Sequence, residues 1–241
     1  MTSSVARRER VRSTDWALYF ITDTPLAGGR ENVPRQVRAA IEGGAHVIQV
    51  RDKTASDDEF RALTLSVIAA VEEMGEEIGR SIPVIVNDRV QIAAELGCDV
   101  HVGQEDLAGP SGCTGSAAAV RALVGVSALV GVSASTAEEL EAIIADGTAD
   151  IVGLGPVWDT ATKPDAQAPL GIEGLRPLVA RAHEAGLTAV AIGGITARTA
   201  AHAAATGVDG ICVISAIAGA EDPALAATFI RREFVMNQPW E

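Results

Sequence analysis

Short apolar runs recur along the chain at nearly regular spacing, and each is followed by a longer segment with helical periodicity. The runs fall at Trp16–Thr22, His46–Val50, Pro83–Asn87, Asp99–Val102, Leu129–Val132, Asp150–Leu154, Thr188–Ile192 and Gly210–Ile214. They are built mainly from Val, Ile, Leu and Ala, which suits strands covered on both faces of a parallel sheet. The helical segments lie near 33–43, 57–78, 89–96, 115–123, 136–146, 172–185, 197–206 and 223–235. Alternation of strand and helix, with a crossover after every strand, predicts eight parallel strands.

A repeated joint supports that count. Residues 40–47 read AIEGGAHV, 93–100 AAELGCDV, 144–151 IADGTADI and 204–210 AATGVDG. Each phrase holds a helix end, a glycine suited to the left-handed position after it, and a short turn into a strand. The repetition is structural and carries no chemistry. Eight near-equal units favour closure into a (β/α)8 barrel over an open, doubly wound sheet, and 241 residues is close to the ~250 typical of one barrel. The expected layout is a flexible N-terminal tail over 1–14, a single barrel domain over 15–236 and a C-terminal tail over 237–241.

Charge and cysteine content narrow the function. A formal net charge of −13 argues against a nucleic-acid or anionic-membrane surface, which needs basic patches. No apolar run is long enough to cross a membrane. Cys98, Cys113 and Cys212 form no CxxC pair, so neither a disulfide framework nor a zinc site is expected, and a reducing cytoplasm fits best. Small-molecule substrates are the expected partners, and the chain leaves monomer and homo-oligomer open. In so acidic a chain an anionic substrate needs cations supplied locally, which makes the few well-placed ones informative.

Barrel enzymes place their sites at the C-terminal ends of the strands. There the second run closes on Gln49-Val50-Arg51-Asp52-Lys53, and the period of two puts Gln49, Arg51 and Lys53 on one side. A planar guanidinium beside an ammonium suits a phosphate or pyrophosphate, although solvated surface cations would read the same. The third run ends at Asn87-Asp88, and Asp106 follows the fourth. Two carboxylates on neighbouring loops, without His or Cys partners, suit a hard cation such as Mg²⁺ shared with substrate phosphates, although Asp88 could equally cap the next helix. The loop after the sixth run carries Thr160, Thr162 and Lys163. Gly193, Gly194, Ile214 and Ser215 follow the seventh and eighth runs, where this fold commonly binds phosphate on backbone N–H groups. Of the histidines, His46, His183 and His202 fall away from that face, and His101 reads as a packed polar residue.

Eight phrases spread over the domain in one order give these residues a family resemblance. They are YFITD at 19–23, QVRDK at 49–53, VND at 86–88, HVGQEDL at 101–107, GVSAS at 131–135, GPVWDTATK at 155–163, AIGGI at 191–195 and VISAI at 213–217. Together they resemble the thiamine-phosphate synthases (thiamine-phosphate pyrophosphorylases). The resemblance implies a transferase that joins a hydroxymethylpyrimidine pyrophosphate to a thiazole phosphate, or its carboxylated form, and releases pyrophosphate. It further implies that Gln49, Arg51, Lys53, Asn87, Ser133 and Lys163 hold the pyrimidine pyrophosphate, with Arg51, Lys53 and Lys163 as catalytic cations. Asp88 and Asp106 would bind Mg²⁺, and Thr160, Thr162, Gly193, Gly194, Ile214 and Ser215 the thiazole phosphate. A thiazole tautomerase, which needs no magnesium–pyrophosphate site, and a noncatalytic phosphate-binding protein are the rival readings.

Overall fold

The structure is a computed structural model that describes residues 3–108, 115–160 and 167–239. Its strands are β1 (Leu18–Ile21), β2 (Val47–Val50), β3 (Val84–Asn87), β4 (Asp99–Val102), β5 (Val130–Ala134), β6 (Ile151–Leu154), β7 (Thr188–Ile192) and β8 (Gly210–Val213). All are parallel, and pairing runs from each to the next and from β8 back to β1, so the sheet closes. Each strand feeds an outer helix: α1 (Val33–Glu42), α2 (Asp57–Ile78), α3 (Val90–Leu96), α4 (Ala117–Val124), α5 (Ala137–Asp146), α6 (Gly171–Glu184), α7 (Ala200–Ala204) and α8 (Pro223–Val235). The (β/α)8 barrel expected from the sequence is therefore the fold.

The strands separate two cores by parity. Leu18, Phe20, Ile48, Val50, Val86 and their counterparts face outward and pack against the helices in one continuous apolar layer. The opposite parity fills the barrel with Tyr19, Ile21, Val47, Ile85, Leu129, Ile151, Val190 and Cys212. The period of two along each strand produces this division, and side chains rather than water fill the interior. Near the C-terminal strand ends the inward positions change from aliphatic to Gln49, Asn87, His101 and Ser133, which line the mouth.

The opposite, N-terminal end is closed by the segment expected to be a flexible tail. Ser3–Ser13 forms a helix. Arg10 reaches Asp99 through two hydrogen bonds of 2.8 and 2.5 Å, and Arg7 pairs with Asp150 at 2.9 Å and donates to the Val126 carbonyl at 3.1 Å. The Trp16 indole donates to the Val11 carbonyl at 2.9 Å, and Val11 packs on the inner core. A polar helix of 11 residues does not persist alone in water. Arginine pairs together with the single Val11 contact hold it to the barrel, so it carries no continuous apolar stripe.

The repeated αβ joints supply what those arginines bind. Asp99 accepts from the Leu129 N–H at 2.8 Å, Asp150 from the Val130 N–H at 3.0 Å and Asp209 from the Ala189 N–H at 2.7 Å. Each carboxylate satisfies an N–H at the start of a neighbouring strand, where the ladder begins and a donor would otherwise be buried unpaired. Asp99 is nearly inaccessible, and burial raises its carboxyl pKa while the Arg10 charge pulls the other way.

Candidate active site

A cavity of about 590 Å³ opens at the C-terminal ends of the strands. From the residues singled out in the sequence it gathers Gln49, Arg51, Lys53, Asn87, Asp88 and Ser133 on one side. Thr160, Gly193, Gly194, Ile214 and Ser215 line the other. Thr162 and Lys163 lie outside the described residues. Asp106 belongs to the short helix Gln104–Ala108 after β4, and its side chain also lies outside what is described.

The β2 end follows the alternation closely. Gln49 is buried and donates to the Tyr19 hydroxyl at 2.6 Å. Arg51 pairs with Asp23 at 3.2 Å, and its backbone N–H is held by the Thr22 hydroxyl at 2.9 Å. Asp52 has the opposite parity and turns away from the cavity. It accepts from the backbone of Thr54 and Ala55 and from Arg30. These bonds hold its carboxyl well below the usual range against the opposing effect of burial. The β2–α2 loop is thus built around Asp52 while its neighbours Arg51 and Lys53 serve the cavity.

At the β3 end Asp88 has φ +62°, the one left-handed non-glycine residue among those described. Its N–H donates to the His101 carbonyl at 2.9 Å, so the residue finishes the β3–β4 ladder while the chain turns sharply. Backbone strain of this kind is concentrated at functional sites. Asn87, Asp88 and Glu105 all line the cavity and carry side-chain oxygens, the donor type that a hard cation takes together with phosphate oxygens.

The cavity floor contains residues to which the sequence reading gave no role. His101 Nε2 lies 3.0 Å from the Ser133 hydroxyl, and Gln104 donates to the Ser133 carbonyl at 2.7 Å. Two glycines make room for the imidazole: a Cβ at Gly153 would stand 3.1 Å from its Cε1, and one at Gly131 would collide with Nδ1. Desolvation lowers the His101 pKa to about 4, so the ring is neutral at pH 7. The ring holds Ser133 in place and has no charge to offer. Glu139 also lines the cavity, accepting from the Ser135 N–H at 2.6 Å and from the Gln167 amide at 3.2 Å. Inward parity on β1 and β4 was the available signal for Tyr19 and His101. Nothing in the local sequence separates Glu139 from other acidic residues in a first helical turn.

On the thiazole side of the expected site, Gly193 and Gly194 have φ +97° and +66°. A Cβ on Gly193 would lie 2.6 Å from the Pro156 Cα, and one on Gly194 2.6 Å from the Trp158 Cβ. The Val157 and Trp158 N–H groups donate to the Ile192 and Gly193 carbonyls at 2.8 and 3.1 Å. The glycine pair therefore lets the β6 and β7 loops lie against each other, beside the turn at Ile214 and Ser215.

This arrangement of cations, oxygen donors and two loop ends can seat two phosphorylated groups in one pocket. Comparison with known proteins points the same way. A family model described as thiamine monophosphate synthase matches residues 18–217. The thiamine-phosphate synthase of Chloroflexus aurantiacus is 42% identical over 218 residues, which cover 90% of this chain and 92% of that protein. The thiamine biosynthesis multifunctional protein ThiED of Corynebacterium efficiens is 43% identical over 222 residues, and the match spans 89% of this chain but only 28% of that longer protein. A solved structure of the thiamine phosphate pyrophosphorylase from Pyrococcus furiosus superposes with a TM-score of 0.75 at 30% identity, over 96% of this chain and 98% of that one. With the family model matching most of the barrel, this chain belongs to the thiamine monophosphate synthase family.

Proposed function

We propose that the chain is a thiamine-phosphate synthase that joins a hydroxymethylpyrimidine pyrophosphate to a thiazole phosphate and releases pyrophosphate. The observation that carries this reading is a single cavity with Arg51, Lys53, Asn87 and Asp88 on one wall and Gly194, Ile214 and Ser215 on the other. The first set fits a pyrophosphate and the second a phosphate monoester, leaving the two rings to meet between them.

In the proposed reaction the bond between the pyrimidine methylene and the pyrophosphate oxygen breaks, and its electron pair leaves with pyrophosphate. The lone pair of the thiazole nitrogen forms the new C–N bond. That nitrogen is already nucleophilic, so the protein needs no activating base, and neutral His101 is consistent with this. Arg51, Lys53 and Lys163 are assigned to the leaving group, where negative charge grows toward the transition state and fixed cations stabilise it most. Gln49 and Ser133 are assigned to the pyrimidine end. Thr160 and Thr162, with backbone N–H groups at Gly193, Gly194, Ile214 and Ser215, are assigned to the thiazole phosphate. Holding both substrates in line supplies much of the acceleration.

Asp88 and Asp106 are assigned to Mg²⁺. When bound, the ion would neutralise charge on the pyrophosphate oxygens and favour their departure. The assay is pyrophosphate release with both substrates, with and without Mg²⁺, for the wild type and Asp88→Ala. Thiamine phosphate formed only with both substrates is expected, with turnover abolished by excess chelator and nearly so by Asp88→Ala. Absence of pyrophosphate release refutes the function, and full turnover in chelator refutes the metal assignment alone.

A further inference from the structure

Lys53 reaches the cavity from the loop after β2, and Asp88 from the turn after β3. The last paired residues of those two strands are Val50 and Val86, so strand pairing stops short of both. Beyond it, side chains must hold the loop and the turn relative to each other. Arg89, next to Asp88 in the chain, spans that gap. Its Nη2 donates to the Ala55 carbonyl and its Nη1 pairs with Asp57. Its guanidinium also stacks over the Phe60 ring, 4.6 Å from the centroid. On the β3 side the Arg89 N–H donates to the Asn87 carbonyl at 2.7 Å, and the Val90 N–H to the Asp88 carbonyl at 2.9 Å, which leaves the turn little play. On the β2 side Asp52 accepts from the Thr54 and Ala55 N–H groups at 2.9 and 3.0 Å, closing a turn that contains Lys53. Ala55 is thus gripped through its N–H by Asp52 and through its carbonyl by Arg89.

We infer that Arg89, which is not among the residues lining the cavity, is a positioning residue that sets the spacing between the Lys53 loop and the Asp88 turn. A pyrophosphate shared between a cation on one and a carboxylate-held ion on the other needs both at fixed places before it binds. A shift of about 1 Å in such a site can cost about 100-fold in rate. The planar fork of arginine suits the task, because it can donate to the loop carbonyl while its face lies on Phe60. The pair with Asp57 adds little, since that carboxylate is 77% exposed. The inference rests on the functional reading above and adds to it a residue that acts through the loop and the turn without touching the ligand.

The test uses Arg89→Met, which keeps an unbranched stem over Phe60 and removes the guanidinium, beside Asp57→Asn, which removes the exposed pair alone. Calorimetry measures the binding of pyrophosphate in the presence of Mg²⁺ and, separately, of the thiazole phosphate; steady-state kinetics give kcat. Arg89→Met should weaken magnesium–pyrophosphate binding at least roughly tenfold and lower kcat. Its Kd for the thiazole phosphate should stay unchanged, and Asp57→Asn should match the wild type throughout. The stoichiometry of thiazole phosphate binding reports the folded fraction, so partial loss of stability does not mimic the effect. If Arg89→Met does not fold, Arg89→Lys decides by the same readouts: it keeps the charge without the fork, and a smaller loss confined to pyrophosphate is expected. Unchanged pyrophosphate binding in the folded variant, equal weakening of both ligands, or an equal loss in Asp57→Asn overturns the inference while leaving the activity intact. A wild-type protein that releases no pyrophosphate from the two substrates overturns the functional reading, and this inference with it.

Discussion

Arg10→Ala tests how the N-terminal helix is attached. The substitution removes a guanidinium that makes two hydrogen bonds to Asp99, a carboxylate with 2% side-chain exposure. Stranding a buried charge in a fully enclosed pair costs roughly 3–5 kcal/mol. Arg10 itself is 41% exposed, so water screens the pair, and Asp99 keeps its bond from the Leu129 N–H. An expected loss of about 2 kcal/mol follows, equivalent to roughly 4–8 °C in Tm for a chain of this size. The sign of its pH dependence follows from Asp99, whose folded-state pKa is raised by burial and opposed by Arg10. Without Arg10 the carboxyl rises further, so its protonation on acidification relieves the stranded charge. The loss should therefore be greatest near neutrality and shrink as pH falls through the Asp99 titration. Thermal melts of wild type, Arg10→Ala, Asp99→Asn and the double variant across that range measure it. An unchanged Tm for Arg10→Ala, or a loss independent of pH, would refute the reasoning.

Deleting residues 1–13 should lower Tm by more than Arg10→Ala does, because the Arg7–Asp150 pair and the Val11 contacts go as well; equal melting of the truncated and full chains would show that the helix is idle. His101 has a folded pKa of about 4, below the unfolded value near 6.5, so it contributes stability above pH ~6.5 that is lost as pH falls toward its folded value. His101→Asn should flatten that part of the acid unfolding curve, and an imidazole NMR titration centred near pH 6.5 in the native protein would contradict the assignment. Gly194→Ala forces a Cβ to within 2.6 Å of Trp158 at φ +66°, so a loss of about 1–3 kcal/mol is expected together with a raised KM for the thiazole phosphate. Calorimetry and steady-state kinetics check the two halves separately.

Most of the barrel was legible because strand and helix periods differ and both are carried by apolar residues. The apolar run Thr188–Ile192 coincides with β7, and the remaining strand boundaries fall within a few residues of their runs. Gln49, Arg51 and Lys53 were legible as a set because parity along one strand is a local property. The N-terminal helix was not, since it is held by pairs that span 89 residues from Arg10 to Asp99 and reach Asp150 from Arg7. Ion pairing at such separation leaves no trace in a local pattern. The Asp99, Asp150 and Asp209 carboxylates were visible in the repeated joints, but their backbone partners lie on neighbouring strands. Tyr19 and His101 were hidden differently: each looked like core because each bonds a cavity-lining residue, Gln49 or Ser133, from inside the barrel.

If Asp88 holds the ion as proposed, its left-handed backbone sets stability and activity against each other at a single position. Glycine adopts φ +62° without a steric penalty, and asparagine tolerates it better than most residues. The backbone term alone would therefore favour Asp88→Gly by up to about 1–2 kcal/mol, set against the side-chain interactions that go with the carboxylate. A stabilised variant found by screening for heat survival could thus look improved by every structural measure and yet be inactive. Libraries built on this scaffold need a paired selection in which turnover is scored beside melting.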